Sequence, residues 1–542
     1  MAGCAGAPVR RWLQVAAAWA LAALLGSTLP PVHAAEPAAP VAAPSPAAPQ
    51  PKFDVLELRV LGNTALDART VEAAVYGFTG PGRQMTDVEA ARAALEKVYH
   101  DRGFGTVFVD IPEQTVEDGI VRLRVTEGRL RQVRVSGAHY FSGRQILAAL
   151  PAAQPGTVPD LPVLQKQITA LNAETHDRTV VPVLKAGPQP GTVDLALKVE
   201  DHVPFHGSVE LDNQYTVDTA HLRAAVAASY DNLFDRMDTF SVQYQAAPQA
   251  VRETHVVAGS YALHLAPDGS NLSIQYVNSK SDVATIGTLG VLGTGSVYSL
   301  RYLKPLPATG SVQDLALEVD YKDFTQSVLV SSASGLNTPV DYINMSAAYS
   351  FVKSRPDRMF DWSVIADFGF RGAPYNTQQF AEKRFDGAPN YYYLRSDGGA
   401  TLPLPAGFTA TLRLTGQFSA DPLINNEQLP VGGVASVRGY LEAEELADSA
   451  ARGSFQLGAP PLNLASGRFH LEEFVFYDAA RAFTVDAPGQ PHHVDLRSWG
   501  AGIRFTGFRN VSGALTWADP LTDGIRTLRG DSILLFDLRG YW

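Results

Sequence analysis

Apolar and polar residues alternate along the chain from about Phe205 to its last residue, Trp542. This period of two predicts β-strands that have one apolar face. Most of the alternating segments have about 9–13 residues, close to what a tilted strand needs to cross a bilayer. Sixteen segments follow the pattern: 206–215, 220–230, 238–246, 252–264, 270–280, 295–304, 313–323, 339–352, 359–371, 388–403, 408–420, 451–459, 467–478, 496–506, 511–519 and 531–541. The pattern predicts a transmembrane β-barrel of 16 antiparallel strands over residues 204–542.

The connections between these segments alternate in length, which supports a membrane barrel. Those after even-numbered segments are short, for example 231–237 and 507–510. Those after odd-numbered segments are mostly longer, and the longest, 421–450, follows the eleventh segment. Bacterial outer-membrane barrels have short periplasmic turns and long outer loops. A soluble β-sandwich or β-solenoid has no need for this asymmetry.

The region before the barrel consists of two copies of one pattern. Residues 52–128 and 129–203 each predict a strand, two helices and two strands in that order. A repeat of about 75 residues indicates a tandem array of small α+β domains and not one large domain.

The N-terminus predicts export from the cytoplasm. Arg10 and Arg11 precede an apolar stretch, 12–25, and a small-residue cleavage site follows before Ala35. Residues 1–34 therefore have the pattern of a secretory signal peptide. Residues 35–51 are rich in proline and alanine, which predicts an extended linker. The only cysteine is Cys4, so the mature chain is predicted to have no disulfide.

Composition and motifs argue against several classes of function. The net charge is −11 and the pI is about 5.6, which disfavours nucleic acid as a partner. The sequence has no Gly-x-Ser-x-Gly motif, no phosphate-binding loop and no spacing typical of a metal site. We therefore expect no catalytic residues, no metal, no cofactor and no small-molecule substrate, and the protein is predicted not to be an enzyme.

Several motifs together carry a family resemblance. Leu429-Pro-Val-Gly-Gly433 with Val437-Arg-Gly-Tyr440 resembles the signature of two-partner secretion transporters of the TpsB type, the exporters of filamentous hemagglutinin and hemolysin. Phe476-x-Asp478 resembles the barrel-strand partner of that arginine loop. Further matches follow in order along the chain: Tyr99-x-x-Arg102-Gly103-Phe104, Glu127-Gly128, Leu171-Asn172 and Pro190-Gly191-Thr192. These resemble parts of POTRA domains, the small domains that precede such barrels in the periplasm.

The resemblance implies a location, a partner and a function. The barrel is expected in the outer membrane, in contact with lipid, with POTRA domain 1 at 52–128 and POTRA domain 2 at 129–203 in the periplasm. The implied partner is a TpsA-type exoprotein, an adhesin or hemolysin that is unfolded in transit, and the barrel is expected to be monomeric. Family members can carry an N-terminal helix that plugs the pore. Here the proline-rich linker leaves no room for one.

The resemblance and the residue chemistry together suggest a functional loop. The motif Val437, Arg438, Gly439 and Tyr440 lies in the longest connection, beside glycines that allow a sharp fold. A guanidinium that enters the lumen needs a carboxylate, and Asp478 lies with Phe476 on the more polar face of its strand. We therefore expect the loop to fold into the lumen and to place Arg438 near Asp478. The alternative is that Arg438 is a solvated loop charge.

Two further interpretations remain at this point. The acidic residues after Tyr440 are interpreted as a solvated loop surface: Glu442, Glu444, Glu445 and Asp448. For the whole protein, the alternatives to export are an outer-membrane assembly insertase of the same superfamily and an outer-membrane barrel enzyme. The presence of only two predicted repeats argues against the insertase, because insertases have a similar organisation but more repeats before the barrel.

Overall fold

The computed structural model describes residues 51–542, except 218, 253, 266–267, 281–282, 287–288, 327–337, 371–376, 487 and 490. The predicted signal peptide, and the linker up to residue 50, lie outside the described residues. In the described part of the chain, every helix is too short or too polar to cross a membrane.

One compact unit is built from the described residues 51–61, 68–95 and 110–124. The elements of this first α+β region, in chain order, are β1 (Phe53–Val55), β2 (Glu57–Leu61), α1 (Ala68–Val75), β3 (Gly80–Arg83), α2 (Met85–Asp101), β4 (Val107–Asp110) and β5 (Ile120–Glu127). Strand β2 is parallel to β5, with Glu57 opposite Ile120. Helix α2 buries Val88, Ala91 and Leu95, which lie at helical spacing.

The second unit comprises residues 62–67, 96–109 and 125–542. It contains a second α+β region, whose elements are β6 (Arg129–Ser136), α3 (Gly143–Ala148), α4 (Leu161–Ala173), β7 (Arg178–Ala186) and β8 (Thr192–Asp201). Strand β8 lies between a parallel β6 and an antiparallel β7. Helix α4 buries Leu164, Ile168 and Leu171 over this sheet. We call β6–β8 with its two helices the second α+β repeat.

The two predicted repeats share a glycine turn after their first main strand. Gly62 follows β2 with φ 87°, and Gly137 follows β6 with φ 85°. A Cβ atom would lie 2.4 Å from the Val125 carbonyl oxygen at the first position and 2.3 Å from the Val199 carbonyl oxygen at the second. Only glycine tolerates both this backbone conformation and this approach, so the same turn is built twice, 75 residues apart in the sequence.

A buried carboxylate holds each of these turns. Glu127 accepts hydrogen bonds from the backbone N–H groups of Thr64 at 2.6 Å and Ala65 at 2.8 Å. Asp201 accepts in the same way from the N–H groups of residues 139–141. Burial acts to raise the pKa of both carboxyl groups, but the hydrogen bonds that they accept outweigh it and lower each pKa. Both carboxylates therefore stabilise their turns in the ionised form.

Strands β9 to β29 follow, and most of them form a closed antiparallel barrel. They are β9 (Phe205–Asp212), β10 (Arg223–Leu233), β11 (Asp238–Ala246), β12 (His255–His264), β13 (Asn271–Lys280), β14 (Val283–Ile286), β15 (Leu289–Leu292), β16 (Thr294–Pro305), β17 (Val312–Gln326), β18 (Val340–Arg355), β19 (Arg358–Gly369), β20 (Tyr392–Pro403), β21 (Thr409–Ser419), β22 (Leu429–Val431), β23 (Glu445–Ala447), β24 (Ser449–Gly458), β25 (Leu462–Leu464), β26 (Phe469–Phe483), β27 (His493–Gly507), β28 (Val511–Pro520) and β29 (Ile533–Tyr541). The barrel closes where β29 pairs with β9, with Leu538 opposite Leu211.

The predicted barrel is confirmed: sixteen strands form the wall, and each wall strand pairs with its neighbours along the chain. The short β25 pairs with β26 beyond the end of β24. Other short elements in the connections were not predicted: the hairpins β14–β15 and β22–β23, and helix α5 (Thr377–Lys383). Each has seven residues or fewer, too few for a hydrophobic period to stand out.

Successive residues of a wall strand face opposite sides. On β26, Phe474, Phe476 and Asp478 are buried, whereas Val475 and Tyr477 are 51% and 46% exposed. Alternation of this kind gives an apolar outer surface and an inner surface that carries polar groups. Strand β26 therefore presents Asp478 to the lumen.

Candidate functional site

The connection between β21 and β24, residues 420–448, folds into the lumen. Its two arms pair as the hairpin β22–β23, with Leu429 opposite Ala447. Val431 and Val437 are fully buried in a cluster that includes the wall residue Leu496. Apolar packing against the wall thus holds this connection, which we call the lumen loop, inside the barrel.

Two glycines form the sharp turn of the lumen loop. Gly432 and Gly433 have φ angles of 107° and 97°. A Cβ atom on Gly432 would lie 2.7 Å from the Leu441 carbonyl oxygen, and the Glu442 carboxylate accepts a hydrogen bond from the Val434 N–H at 2.7 Å. Glycine is therefore required here both for the backbone conformation and for the close approach of the second arm.

Arg438 makes a bidentate ion pair with Asp478. Its Nε donates to Asp478 Oδ2 at 2.7 Å, and its Nη2 donates to Oδ1 at 2.8 Å. The same guanidinium donates to Gln456 Oε1 at 3.1 Å and to Ser454 Oγ at 3.0 Å. The Arg438 side chain is 12% exposed and that of Asp478 is 0% exposed. Two parallel N–H···O bonds fix orientation as well as charge, so the pair can hold the loop in one position.

An aromatic ring and a glycine on the wall complete this arginine site. The Arg438 guanidinium carbon lies 3.4 Å from the centroid of the Phe476 ring, a cation–π contact. On the neighbouring strand, a Cβ atom at Gly500 would lie 2.5 Å from the same ring. Gly500 therefore leaves room for the ring beneath the arginine. The sequence shows a glycine among the polar positions of β27. It does not show that this glycine lies beside Phe476, because that depends on the register between the two strands.

Tyr440 holds the second arm of the lumen loop to the neighbouring strand β27 and to the segment that follows β28. Its side chain is 2% exposed, and its hydroxyl lies 2.9 Å from the Arg497 carbonyl oxygen and 2.7 Å from the Thr522 carbonyl oxygen. The preceding Gly439 has φ 98° and packs against Ala518. The four residues of the motif thus contribute an apolar contact, an ion pair, a turn and a hydroxyl anchor.

The interpretation of the acidic run as a solvated surface is wrong for Glu444 and Asp448, which are 1% and 0% exposed. Glu444 accepts hydrogen bonds from the N–H groups of Arg526 and Thr527 at 2.6 and 2.8 Å. Asp448 accepts from Arg384 Nη2 at 2.8 Å. A buried carboxylate needs such partners. None of these partners is close in sequence to the acidic run, so the burial of Glu444 and Asp448 could not be predicted without the fold.

A polar contact joins the second α+β repeat to the turn between β10 and β11, the first short turn of the barrel. Asn232 Nδ2 donates to the Tyr140 carbonyl oxygen at 2.9 Å, and Asn232 Oδ1 accepts from Gln145 Nε2 at 2.8 Å. Asp235 accepts from the Ser142 N–H at 3.0 Å. Both turn residues have positive φ, 66° and 58°, which asparagine and aspartate tolerate better than most residues.

Among the described residues, one group brings possible metal ligands together: Asp177, His206 and Asp231. His206 Nε2 lies 3.0 Å from Asp177 Oδ2 and 3.4 Å from Asp231 Oδ2. Hydrogen bonding between the imidazole and the carboxylates accounts for this geometry without a metal ion. Since Asp177 precedes β7 and His206 lies on β9, the group also links the second α+β repeat to the barrel.

Comparison with known proteins gives two family matches. Residues 53–128 match the family described as "POTRA domain, ShlB-type", and residues 358–505 match "Haemolysin secretion/activation protein ShlB/FhaC/HecB". The second match spans β19 to β27 and includes both Arg438 and Asp478. These matches confirm the predicted resemblance to two-partner secretion transporters of the outer membrane.

Similar proteins agree with this assignment. The chain is 24% identical over 421 residues to the outer membrane transporter CdiB of Dickeya dadantii strain 3937, covering 72% of this chain and 70% of that protein. It is 20% identical over 491 residues to the heme/hemopexin transporter protein HuxB of Haemophilus influenzae strain 86-028NP, covering 88% and 85%. These matches confirm the predicted function, export of a partner protein across the outer membrane, and the predicted periplasmic location of the N-terminal POTRA region.

Solved structures share the fold at low identity. CdiB from Escherichia coli superposes with a TM-score of 0.58 at 19% identity and covers 92% of this chain and 93% of that one. BamA from Haemophilus ducreyi lacking POTRA domains 1–3 superposes with a TM-score of 0.55 at 14% identity, covering 90% and 100%. The barrel fold is therefore common to secretion transporters and to this second group, so the fold by itself does not separate them.

Proposed function

We propose that this protein exports one exoprotein, unfolded in transit, through the barrel lumen, and that the lumen loop controls its passage. The observation that carries the proposal is the ion pair between Arg438 and Asp478, which ties a buried loop to the wall at 2.7 Å. A chain that crosses the lumen needs space that the loop occupies. The loop must therefore shift during export, and the pair returns it to one defined position afterwards.

Capture of the exoprotein is proposed to occur on the POTRA domains. Strand β7 is an edge of its three-stranded sheet, and Val181 and Leu184 on it are 49% and 37% exposed. On the adjacent helix α4, Val163 is 43% exposed. An extended segment of the exoprotein can pair with this edge through backbone hydrogen bonds, while its apolar side chains contact the exposed apolar residues of β7 and α4. This mode makes little demand on sequence. This mode suits a client that is recognised before it folds.

We propose the following organisation for the chain. Residues 1–34 are a signal peptide, 35–51 a linker, 52–128 and 129–203 two POTRA domains, and 204–542 the barrel. The barrel acts as a monomer whose outer face contacts lipid. The repeated glycine turns at Gly62 and Gly137, each held by a carboxylate, support the two-domain division.

Export is proposed to need no chemical step. The sequence has no nucleotide-binding motif, and the periplasm supplies no ATP. Folding of the exoprotein outside the cell would make its passage directional, because a folded chain cannot re-enter the lumen. The proposed client is a large secreted protein of the adhesin or hemolysin type. The match of residues 358–505 to a family described as haemolysin secretion/activation proteins supports this class.

The second candidate is insertion of barrel proteins into the membrane, which the BamA likeness at a TM-score of 0.55 favours at the level of fold. The family match at residues 358–505 is to secretion proteins, and it supports export instead. A barrel enzyme is the third alternative, and no catalytic group is proposed for it.

The test is secretion in a surrogate bacterial host. The full chain is produced together with a candidate exoprotein, chosen as any large secreted protein encoded beside its gene, and the exoprotein is measured in the medium and in the periplasm. We expect it in the medium only when the chain is present. Exoprotein retained in the periplasm at normal barrel levels would refute the proposal. Rescue of a strain depleted of its own insertase would instead support insertion, and hydrolysis of lipid or peptide by the purified barrel would support an enzyme.

A further inference from the structure

A second buried ion pair holds the lumen loop, in its first arm. Glu427 lies between β21 and β22, and its side chain is 2% exposed. It accepts a hydrogen bond from Lys322 Nζ at 2.7 Å and from the Tyr393 hydroxyl at 3.2 Å, and another from the Tyr342 hydroxyl. The donors belong to β17, β18 and β20, whereas Asp478 belongs to β26. The first arm is therefore tied to a different sector of the wall from the second.

Aromatic rings cover this pair on one side, and on the other it borders the lumen cavity. The Lys322 side chain is 12% exposed, and its ammonium lies 5.7 Å from the centroid of the Tyr342 ring. Phe380 of helix α5 packs edge-on against the same ring with the centroids 5.3 Å apart, and Tyr391 stacks on Tyr393. An ion pair with side chains this little exposed is screened little by salt, so losing one partner leaves an uncompensated charge.

The two ion pairs of the lumen loop, Arg438–Asp478 and Lys322–Glu427, have no residue in common. Arg438 contacts Asp478, Gln456 and Ser454, and Glu427 contacts Lys322 with two tyrosines. Interactions without shared partners contribute independently to the free energy of a state. We propose that Lys322 and Glu427 form a second lock, so that the lumen loop leaves the barrel only when both ion pairs are broken.

In this role Lys322 and Glu427 are positioning residues: they act on export through the loop. The inference rests on the proposed function only in that the loop moves during export. It is therefore tested by measuring the loop in the absence of any exoprotein, so that its failure is separate from a failure of export.

The test labels the loop tip from outside intact cells. Ala435 is exposed within the lumen loop, and the chain has no cysteine except Cys4. Ala435→Cys, made with Cys4→Ser, is treated with a polyethylene glycol maleimide too large to enter the lumen. In the otherwise unchanged chain we expect slow labelling. Lys322→Met, which replaces the lysine by an unbranched side chain one atom shorter and without charge, should increase the rate at least about tenfold, because a hydrogen bond to a charged group is lost.

Controls separate the lock from a general loss of packing. The exposed pair Lys304–Asp268 provides a matched Lys304→Met, which should label at the unchanged rate. The exchange Lys322→Glu with Glu427→Lys should restore slow labelling, and Lys322→Met combined with Arg438→Ala should multiply the two rate increases. Folding is checked by the heat-dependent shift of the barrel on gels.

Two outcomes would overturn the second lock. One is labelling of folded Lys322→Met or Glu427→Gln at the unchanged rate. The other is fast labelling of the exchanged pair in a folded barrel, since that would assign the effect to packing. If Lys322→Met gives no folded barrel, Glu427→Gln decides the question, because it keeps the volume and removes the charge.

Discussion

Replacing Arg438 with alanine removes the guanidinium that Asp478, Gln456, Ser454 and the Phe476 ring all contact. Asp478 is 0% exposed. After the substitution it keeps the hydrogen bond from the backbone N–H of residue 438, at 3.1 Å, but loses those from the side chain. Breaking a buried pair in this way costs about 3–5 kcal/mol. The guanidinium is 12% exposed, so we expect the lower end, about 3 kcal/mol. A free-energy change of this size shifts the equilibrium constant between the two positions of the loop by about a hundredfold.

The assay is secretion of the exoprotein per folded barrel, with folding measured by heat-modifiability. Arg438→Ala should strongly lower secretion while the barrel still inserts. Asp478→Ala should do the same, and the double variant should be little worse than either one, because both changes remove one interaction. The matched control is Arg481→Ala on the same strand, whose pair with Asp495 is exposed. Normal export by Arg438→Ala at unchanged barrel levels would refute the role of the pair.

Three further predictions concern residues away from this pair. The pKa of Glu127 is lowered in the folded state, so its contribution to stability is present above its unfolded pKa and is lost as the pH falls through the folded pKa. Glu127→Gln should therefore be less stable than the unchanged chain by about 2 kcal/mol at pH 7, and thermal unfolding of the periplasmic region should show this gap closing in acid. Gly500→Ala should lower the thermal midpoint of the barrel through overpacking against Phe476, costing about 1–3 kcal/mol, whereas Gly540→Ala, which meets no atom within 4 Å, should not. Asn232→Ala should speed hydrogen exchange in the first barrel turn, with Asn232→Gly as the control for backbone conformation; equal exchange in Asn232→Ala and the unchanged chain would contradict the proposed contact.

The barrel could be predicted from the sequence because a wall strand is a local pattern. Each residue faces either lipid or the lumen, so apolar residues recur at every second position, as at Trp499, Ala501, Ile503 and Phe505. The alternation of short and long connections then indicated a membrane barrel without any knowledge of contacts. Short elements within connections, such as α5, could not be predicted, because seven residues give too few positions for a period.

The candidate site was predictable only in part. Arg438 and Asp478 could be named because a motif and a strand face pointed to each of them. Gly500, Glu427 and Lys322 were missed, because their roles come from registers and contacts between segments far apart in the sequence, such as the 105 residues between Lys322 and Glu427. The same reason explains the error about Glu444, since a buried carboxylate and a solvated one look alike until their partners are known.

The central claim, that an unfolded exoprotein crosses the lumen of this barrel, is tested most directly by cross-linking during export. Ser346 lines a lumen cavity of about 610 Å³ beside the loop, while Ile343 on the same strand faces outward and is 41% exposed. A photo-cross-linking residue is introduced at each position in turn, and export is halted with a folded domain fused to the exoprotein. The account predicts that the exoprotein is captured from position 346 and not from 343. Capture at neither position, while the same exoprotein without the fused domain still reaches the medium, would contradict it.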